Sequence, residues 1–263
     1  MKRLYIFTGK GGVGKTAFSM AFTRHLQQAG YKARYNSFDQ AAPTGLCDHF
    51  GLNALELSNA ESASKYIEKK LGSAIVAKWI LKTPFFSSLF DMLPSLGHMI
   101  LFGHLVDLLR NDPELTIVMD SPSSGHALTM FEASFNFLEM FKSGMIVEDI
   151  HKMHEFLYEK ESIQTFILAL PTLMATQEST ELKAQLETLH VSTQILLNES
   201  YLKIPALNHN QEELPEFLKK KLSLEQEVVE ANEQGFTESF QHYPSTSLAQ
   251  TIDFLTSDMD KLV

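Results

Sequence analysis

An α/β fold is predicted for this chain, a doubly wound and mostly parallel sheet flanked by helices, and three observations predict it. The chain opens as strand, glycine-rich loop and amphipathic helix. Short apolar or β-branched runs then alternate with helical patterns along the rest of its length. Finally, 263 residues that are 44% hydrophobic and 21% charged suffice for one sizeable core with room for an inserted subdomain. The expectation is one domain over residues 1–263, including a helical subdomain at about 61–112.

Taken in order, residues 3–8 read as a short buried strand, and residues 15–29 as an amphipathic helix closed by Gly30 at its C-cap. Residues 33–39 give a second strand. From 61 to 111 the pattern is almost wholly helical, interrupted at Pro84 and Pro94, which makes this stretch a helical insertion before the third strand. Residues 115–120 are that strand, and residues 166–170 and 195–198 are the fourth and fifth. Good helix formers fill 178–189, and a charged helix over 216–232 starts after Pro215. A weak last strand at 235–242 and a closing helix at 245–257, opened by Pro244, complete the chain. In such a sheet, ligands sit beyond the carboxyl ends of the strands.

Composition removes several classes of function. A formal charge of −10 opposes general attraction to phosphate backbones or anionic lipid, so no nucleic-acid partner is expected, although a local basic patch is still allowed. No apolar run approaches the roughly 20 residues that span a bilayer, and the opening residues lack the apolar core of an export signal. Cys47 is the single cysteine, which rules out an intrachain disulfide and an all-cysteine metal site from one chain. A soluble protein of a reducing, cytoplasmic compartment is expected.

The chemistry concentrates in Gly9-Lys10-Gly11-Gly12-Val13-Gly14-Lys15-Thr16, which fits the pattern G-x-x-x-x-G-K-[ST] and lies directly between a strand and a helix. Glycines let successive N–H groups turn inward around phosphates, and the helix start, through Ala17, adds its partial positive charge. Lys15 is expected to reach the β and γ phosphates of a nucleotide, and the Thr16 hydroxyl to ligate Mg²⁺. Asp120, ending the third strand, is where a carboxylate can hold the metal through water, and Gly125 beyond it can offer its N–H to the terminal phosphate. Asp39, read as ending the second strand, can orient or deprotonate an attacking water, or else simply cap a turn. His151 and His154 form an H-x-x-H pair without a third ligand nearby and read as surface residues.

The loop carries a second lysine, Lys10, and K-G-G-V-G-K-T resembles the deviant Walker A signature of the family that includes arsenical pump ATPases, the tail-anchored-protein targeting ATPase and the MinD and ParA partition ATPases. The run from Asp120 to His126 resembles the D-T-A-P-T-G-H switch of the arsenical-pump and targeting branch, with its proline displaced by one. Residues 93–97, 105–110 and 127–128 also resemble bacterial members of that branch. The resemblance implies a P-loop ATPase that binds ATP and Mg²⁺, works as a homodimer, and uses Lys10 across the dimer interface together with Lys15 in catalysis. The loop after Asp39 is two residues longer than the family's D-P-A-H-S-L-S-D-A-F and lacks its early Pro and His. Asn198 resembles the V-N-Q position whose amide reads adenine, and a simple turn residue is the competing reading.

Two apolar stretches, 75–92 with Trp79, Phe85, Phe86 and Phe90, and 130–141 with Phe131, Phe135, Phe137 and Met140, stay open between a groove for a protein client with an apolar segment and ordinary core packing. The functional expectation is a slow ATPase switch, with ATP/ADP bound in turn, that binds or delivers a protein or membrane-associated partner. The alternatives are a nucleotide-binding module with little hydrolysis, and an anion or arsenite pump-driving subunit.

Overall fold

Strand β1 (Leu4–Gly9) is buried at every position, and its side chains divide by the period-two rule between two cores. Leu4 and Ile6 join one hydrophobic cluster, whereas Tyr5 and Phe7 join the other. The computed structural model describes residues 1–84, 88, 94–122, 124–140, 142–159, 162–208, 213–232 and 235–262. Phe85, Phe86 and Phe90, named above, lie outside the described residues, as do residue 93 and residue 123 of the resembling runs and the end of each apolar stretch.

The remaining strands among the described residues are β2 (Lys32–Asn36), β3 (Leu115–Asp120), β4 (Ile163–Ala169), β5 (Thr193–Ser200) and β6 (Phe236–Gln241). They form a sheet of order β2-β3-β1-β4-β5-β6 in which every pairing is parallel. Register sets Phe7 beside Asp120 and Gly9 beside Leu168, so the ends of β1, β3 and β4 come level. The chain leaves β1 toward one edge of the sheet and β4 toward the other, which creates a topological switch point beyond their carboxyl ends.

On one face lie α1 (Lys15–Gln28) and α2 (Thr44–Phe50), with the late helix α11 (Leu248–Thr256) packed on α1. Phe18 and Phe22 of α1 meet rings of the sheet and of β6: Tyr5 at 4.7 Å from Phe22, and Phe240 at 4.8 Å from Phe18, both edge to face. The opposite face is covered by α5 (Pro94–Asn111), α6 (Ser124–Met140), α7 (Met145–Tyr158) and α8 (Leu173–Thr188). In α5 the fully buried Leu101, Phe102, Leu105 and Leu109 recur at helical spacing and join the cluster that includes Ile117 of β3. Short α3 (Asn59–Leu71) and α4 (Ala74–Leu81) precede it, and α9 (Pro205–Asn208) and α10 (Glu216–Ala231) lie between β5 and β6.

Several elements run differently from the sequence expectation. β2 ends at Asn36, three residues early, because the Asn36 side chain turns back: its Oδ1 accepts from Phe38 N and its Nδ2 donates to Leu55 O. Phe38 then adopts φ +57°, so Asp39 sits in a turn and not at a strand tip. β5 is longer at both ends than residues 195–198, since a parallel neighbour on each side lends it ladder hydrogen bonds beyond its apolar centre. The two apolar stretches also part company. Met130, Phe131 and Ala133 are core, whereas Ile75 (82% exposed) and Trp79 (69%) lie on the surface.

Candidate active site

The loop after β1 needs glycine at its two ends. A Cβ on Gly9 would lie 2.4 Å from Leu168 O, and one on Gly14, at φ +98°, would lie 2.7 Å from Asn198 Nδ2. Between them Gly11 and Gly12 are exposed and border open space, and Val13 is buried and anchors the loop. Gly14 is the N-cap of α1 and supplies no side-chain cap, in contrast to Ser58, Ser73, Thr172 and Ser247, whose hydroxyls cap α3, α4, α8 and α11. The first N–H groups of α1 are therefore left for an anion, in the field of the helix dipole.

Lys15 folds back over this loop, its Nζ donating to Gly9 O at 3.2 Å and Lys10 O at 3.0 Å. Burial lowers its pKa, and the charge of Asp120 acts in the opposite sense. Thr16 Oγ1 donates to Asp120 Oδ2 at 2.7 Å, and the same oxygen accepts from Tyr35 OH at 3.1 Å. Burial raises the Asp120 pKa, against the two hydroxyl donors and the Lys15 charge. The next residue, Ser121, is buried, and its Oγ has no hydrogen-bond partner among the described residues.

These groups fit Mg²⁺ and a triphosphate. The hydroxyl of Thr16 and the carboxylate of Asp120 are hard oxygen donors already within contact of each other. The uncapped helix start and the open space at Gly11 and Gly12 lie beside Lys15, an arrangement that suits an anion. Ala17 is buried in the first turn of α1, and Gly125 lies in the first turn of α6, directly after the carboxyl end of β3.

Other sequence-predicted residues have partners outside the Lys15–Thr16–Asp120 group. Asp39 pairs with His98 Nε2 of α5 at 3.5 Å, and not with the Lys15–Thr16–Asp120 group. Lys10 extends into solvent and pairs with Glu178 Oε1 of α8 at 2.8 Å, with Met174 Sδ at 3.9 Å. Asn198 is 5% exposed and donates from Nδ2 to Val13 O at 2.9 Å, so its amide braces the phosphate loop in this structure. A cavity of about 710 Å³ opens at the ends of β4, β5 and β6, walled by Leu170, Pro171, Leu173, Tyr201, His242 and Glu199, the residue after Asn198. His154 corrects the surface reading: it is 5% exposed, hydrogen-bonded to Ser134 Oγ at 2.8 Å and stacked on Phe135. Among the described residues, no cluster of three or more His, Cys, Asp or Glu is arranged for a metal ion.

Sequence reasoning passed over Tyr35, His98 and Glu178. A buried tyrosine hydroxyl needs a partner, and that was the one signal available for Tyr35. The contacts of His98 and Glu178 join residues far apart in the chain, and no spacing rule reaches them.

Residues 2–145 match the family model described as anion-transporting ATPase. A putative arsenical pump-driving ATPase 2 of Aquifex aeolicus (strain VF5) is 27% identical over 179 residues, an alignment covering 61% of this chain and 57% of that protein. The chain thus matches little more than half the length of this relative.

Proposed function

Since the chain belongs to the anion-transporting ATPase family, we propose that it is a Mg²⁺-dependent ATPase acting as a nucleotide-controlled dimeric switch for a protein or membrane-associated partner. The observation that carries this reading is the Thr16–Asp120 hydrogen bond at the mouth of the glycine loop, because it brings a hydroxyl and a carboxylate to the start of an uncapped helix. When bound, Mg²⁺ supplies charge neutralisation at the phosphates. The chain's own groups do the rest. Loop amides from Gly9 to Thr16 orient the phosphates, Lys15 exchanges its two carbonyl partners for phosphate oxygens, and Asp120 holds the hydroxyl of Thr16 in line. Asp39, carried on a turn and met by His98, is the candidate to position the attacking water once its loop closes. The base fits the apolar cavity beside Asn198, where Tyr201 and His242 are stacked at 4.7 Å.

Lys10 supports the dimer. It is exposed, and the surface around it carries the exposed apolar side chains Leu173 and Met174. Ile75, Val76 and Trp79 on α4 offer an apolar partner a surface of their own. Among the described residues, no helix is long and apolar enough to cross a membrane.

A second reading, a pump-driving subunit for an oxyanion or metalloid, is favoured by the name of the relative. Cys47 weakens it for soft metalloids, because the one thiol is 4% exposed and burial pushes its pKa up.

Turnover of Mg-ATP tests the proposal. Lys15→Ala is expected to abolish nucleotide retention and hydrolysis together, whereas Asp39→Asn keeps binding and lowers turnover by roughly a hundredfold. Wild-type protein that holds no adenine nucleotide with Mg²⁺ present defeats the whole reading. Unchanged turnover in Asp39→Asn leaves a nucleotide site but removes this residue from the chemistry.

A further inference from the structure

A second cavity, of about 330 Å³, lies away from the phosphate loop between α3, α5 and α7. Its floor is apolar: Leu96, Met99, Ile150 and Met153 are each at most 6% exposed. At one point a polar pair enters it, Ser62 Oγ and His104 Nδ1 at 3.0 Å, and burial lowers the His104 pKa, so the imidazole adds no charge. The rim is different in kind. Lys65, Lys69 and Lys152 line the cavity with more than half of each side chain in solvent. Lys70 and Arg110 bring the lining to five cations, and four carboxylates lie within 4 Å of them: Asp107 on Lys69, Asp149 on Lys70 and Lys152, Glu61 on Lys65 and Glu155 on Arg110.

The rim is thus left with one cation more than its carboxylates, in a chain whose formal charge is −10. Asp149 alone is shared by Lys70 at 2.6 Å, Lys152 at 3.7 Å and the hydroxyl of Tyr66 at 2.9 Å, so one carboxylate serves two ammonium groups. An incoming anion would complete the pairing that Asp149 leaves short.

We propose that this cavity is a binding site for a single-chain amphiphile with an anionic head, its tail on the Leu96–Met99–Ile150–Met153 floor and its head among Lys65, Lys69 and Lys152. The volume falls at the small end of the about 300–1,000 Å³ common for ligand sites, which suits a short acyl chain and excludes a folded partner. The apolar floor supplies affinity that grows with tail length, and the cationic rim supplies the sign of the head group. An exposed ion pair by itself would bind little.

Decanoate below its micelle concentration is the probe, titrated calorimetrically against the intact chain. Saturable binding is expected, about tenfold tighter than octanoate, as the burial of two more methylenes requires. Decyltrimethylammonium, with the same tail and opposite charge, is expected not to bind. Gly103→Leu blocks the cavity: Gly103 lines it, and a Cβ there meets nothing within 4 Å, so the substitution fills space without striking the backbone. It is expected to melt no lower than the wild type and to weaken decanoate binding at least about tenfold. Should it unfold, Lys69→Gln with Lys152→Gln, both exposed, provides the second test by lowering affinity and its salt dependence. Equal binding of the cationic amphiphile, no effect of tail length, or wild-type affinity in a folded Gly103→Leu overturns the proposal. So does retention on phosphatidylglycerol vesicles without saturable uptake of free decanoate, which would make the rim a membrane contact.

Discussion

Asp120 Oδ2 collects two hydroxyl donors, Thr16 from the helix that opens the phosphate loop and Tyr35 from the neighbouring strand. The carboxylate is thereby aimed before any ligand arrives, at the cost of burying a group that burial drives toward the protonated form. Tyr35 is fully buried, and the burial and the nearby carboxylate together raise its own pKa well beyond the usual phenol range, so it remains a donor throughout the accessible pH range. Removing the hydroxyl with Tyr35→Phe is expected to lower stability by about 1–2 kcal/mol in urea denaturation. The Mg²⁺ concentration for half-maximal ATP turnover should rise severalfold, since Asp120 then loses one of its two guides. Unaltered metal dependence would mean that Tyr35 only fills space. Asn198 illustrates the same scale differently: its Nδ2 occupies the space that a Cβ on Gly14 would enter, so the loop glycine and the brace are one design.

Among the elements, α7 shows how a sequence pattern can mislead about exposure. An H-x-x-H pair on a helix points to roughly the same face, yet His151 is exposed and His154 is buried against Ser134 and Phe135 of α6. Desolvation takes the His154 pKa from 6.5 to about 4, with a smaller contribution from His151. The folded state thus holds a neutral imidazole that the unfolded chain would protonate, and the unfolded state binds more protons between these two values. Stability contributed at α6–α7 is therefore fully present above pH 6.5 and is lost as the pH falls toward 4, by up to roughly 3 kcal/mol. Thermal unfolding across that interval should show the wild type losing stability steeply. His154→Leu should have a shallower slope, whatever its midpoint at neutral pH. Parallel slopes for the two proteins would place the acid sensitivity in other groups.

At the level of the whole molecule, the parallel order β2-β3-β1-β4-β5-β6 brings Gly9, Asp120 and Asn198 to the carboxyl end of the sheet although up to 189 residues separate them in the chain. Lys10 stands at the same end but outward, on Glu178. In the proposed dimer Lys10 leaves that partner for a neighbouring subunit, and the exposed pair opposes this only weakly. Glu178→Gln should accordingly favour dimerisation in Mg-ATP by up to about fivefold, and Lys10→Ala should abolish it, both read by sedimentation velocity. A Lys10→Ala protein that dimerises as the wild type does would remove the lysine from the interface.

Much of this was legible in the sequence because its rules are local. The strand-loop-helix opening, the glycines of the phosphate loop and the alternation that makes a parallel sheet depend on backbone conformation and on side-chain period, both set within a few residues. Asp120 was legible for the same reason, at the end of a β-branched run. By contrast, the brace from Asn198, the second donor from Tyr35, the pairing of Asp39 with His98 and the parking of Lys10 on Glu178 are contacts between distant segments. Helix packing alone decided that Phe131 is core while Trp79 is surface, two aromatic residues in equally apolar runs. Side-chain chemistry states what a residue can bond to. Only the fold brings the partner within reach, because burial and proximity belong to the assembled layers and not to any stretch of the chain.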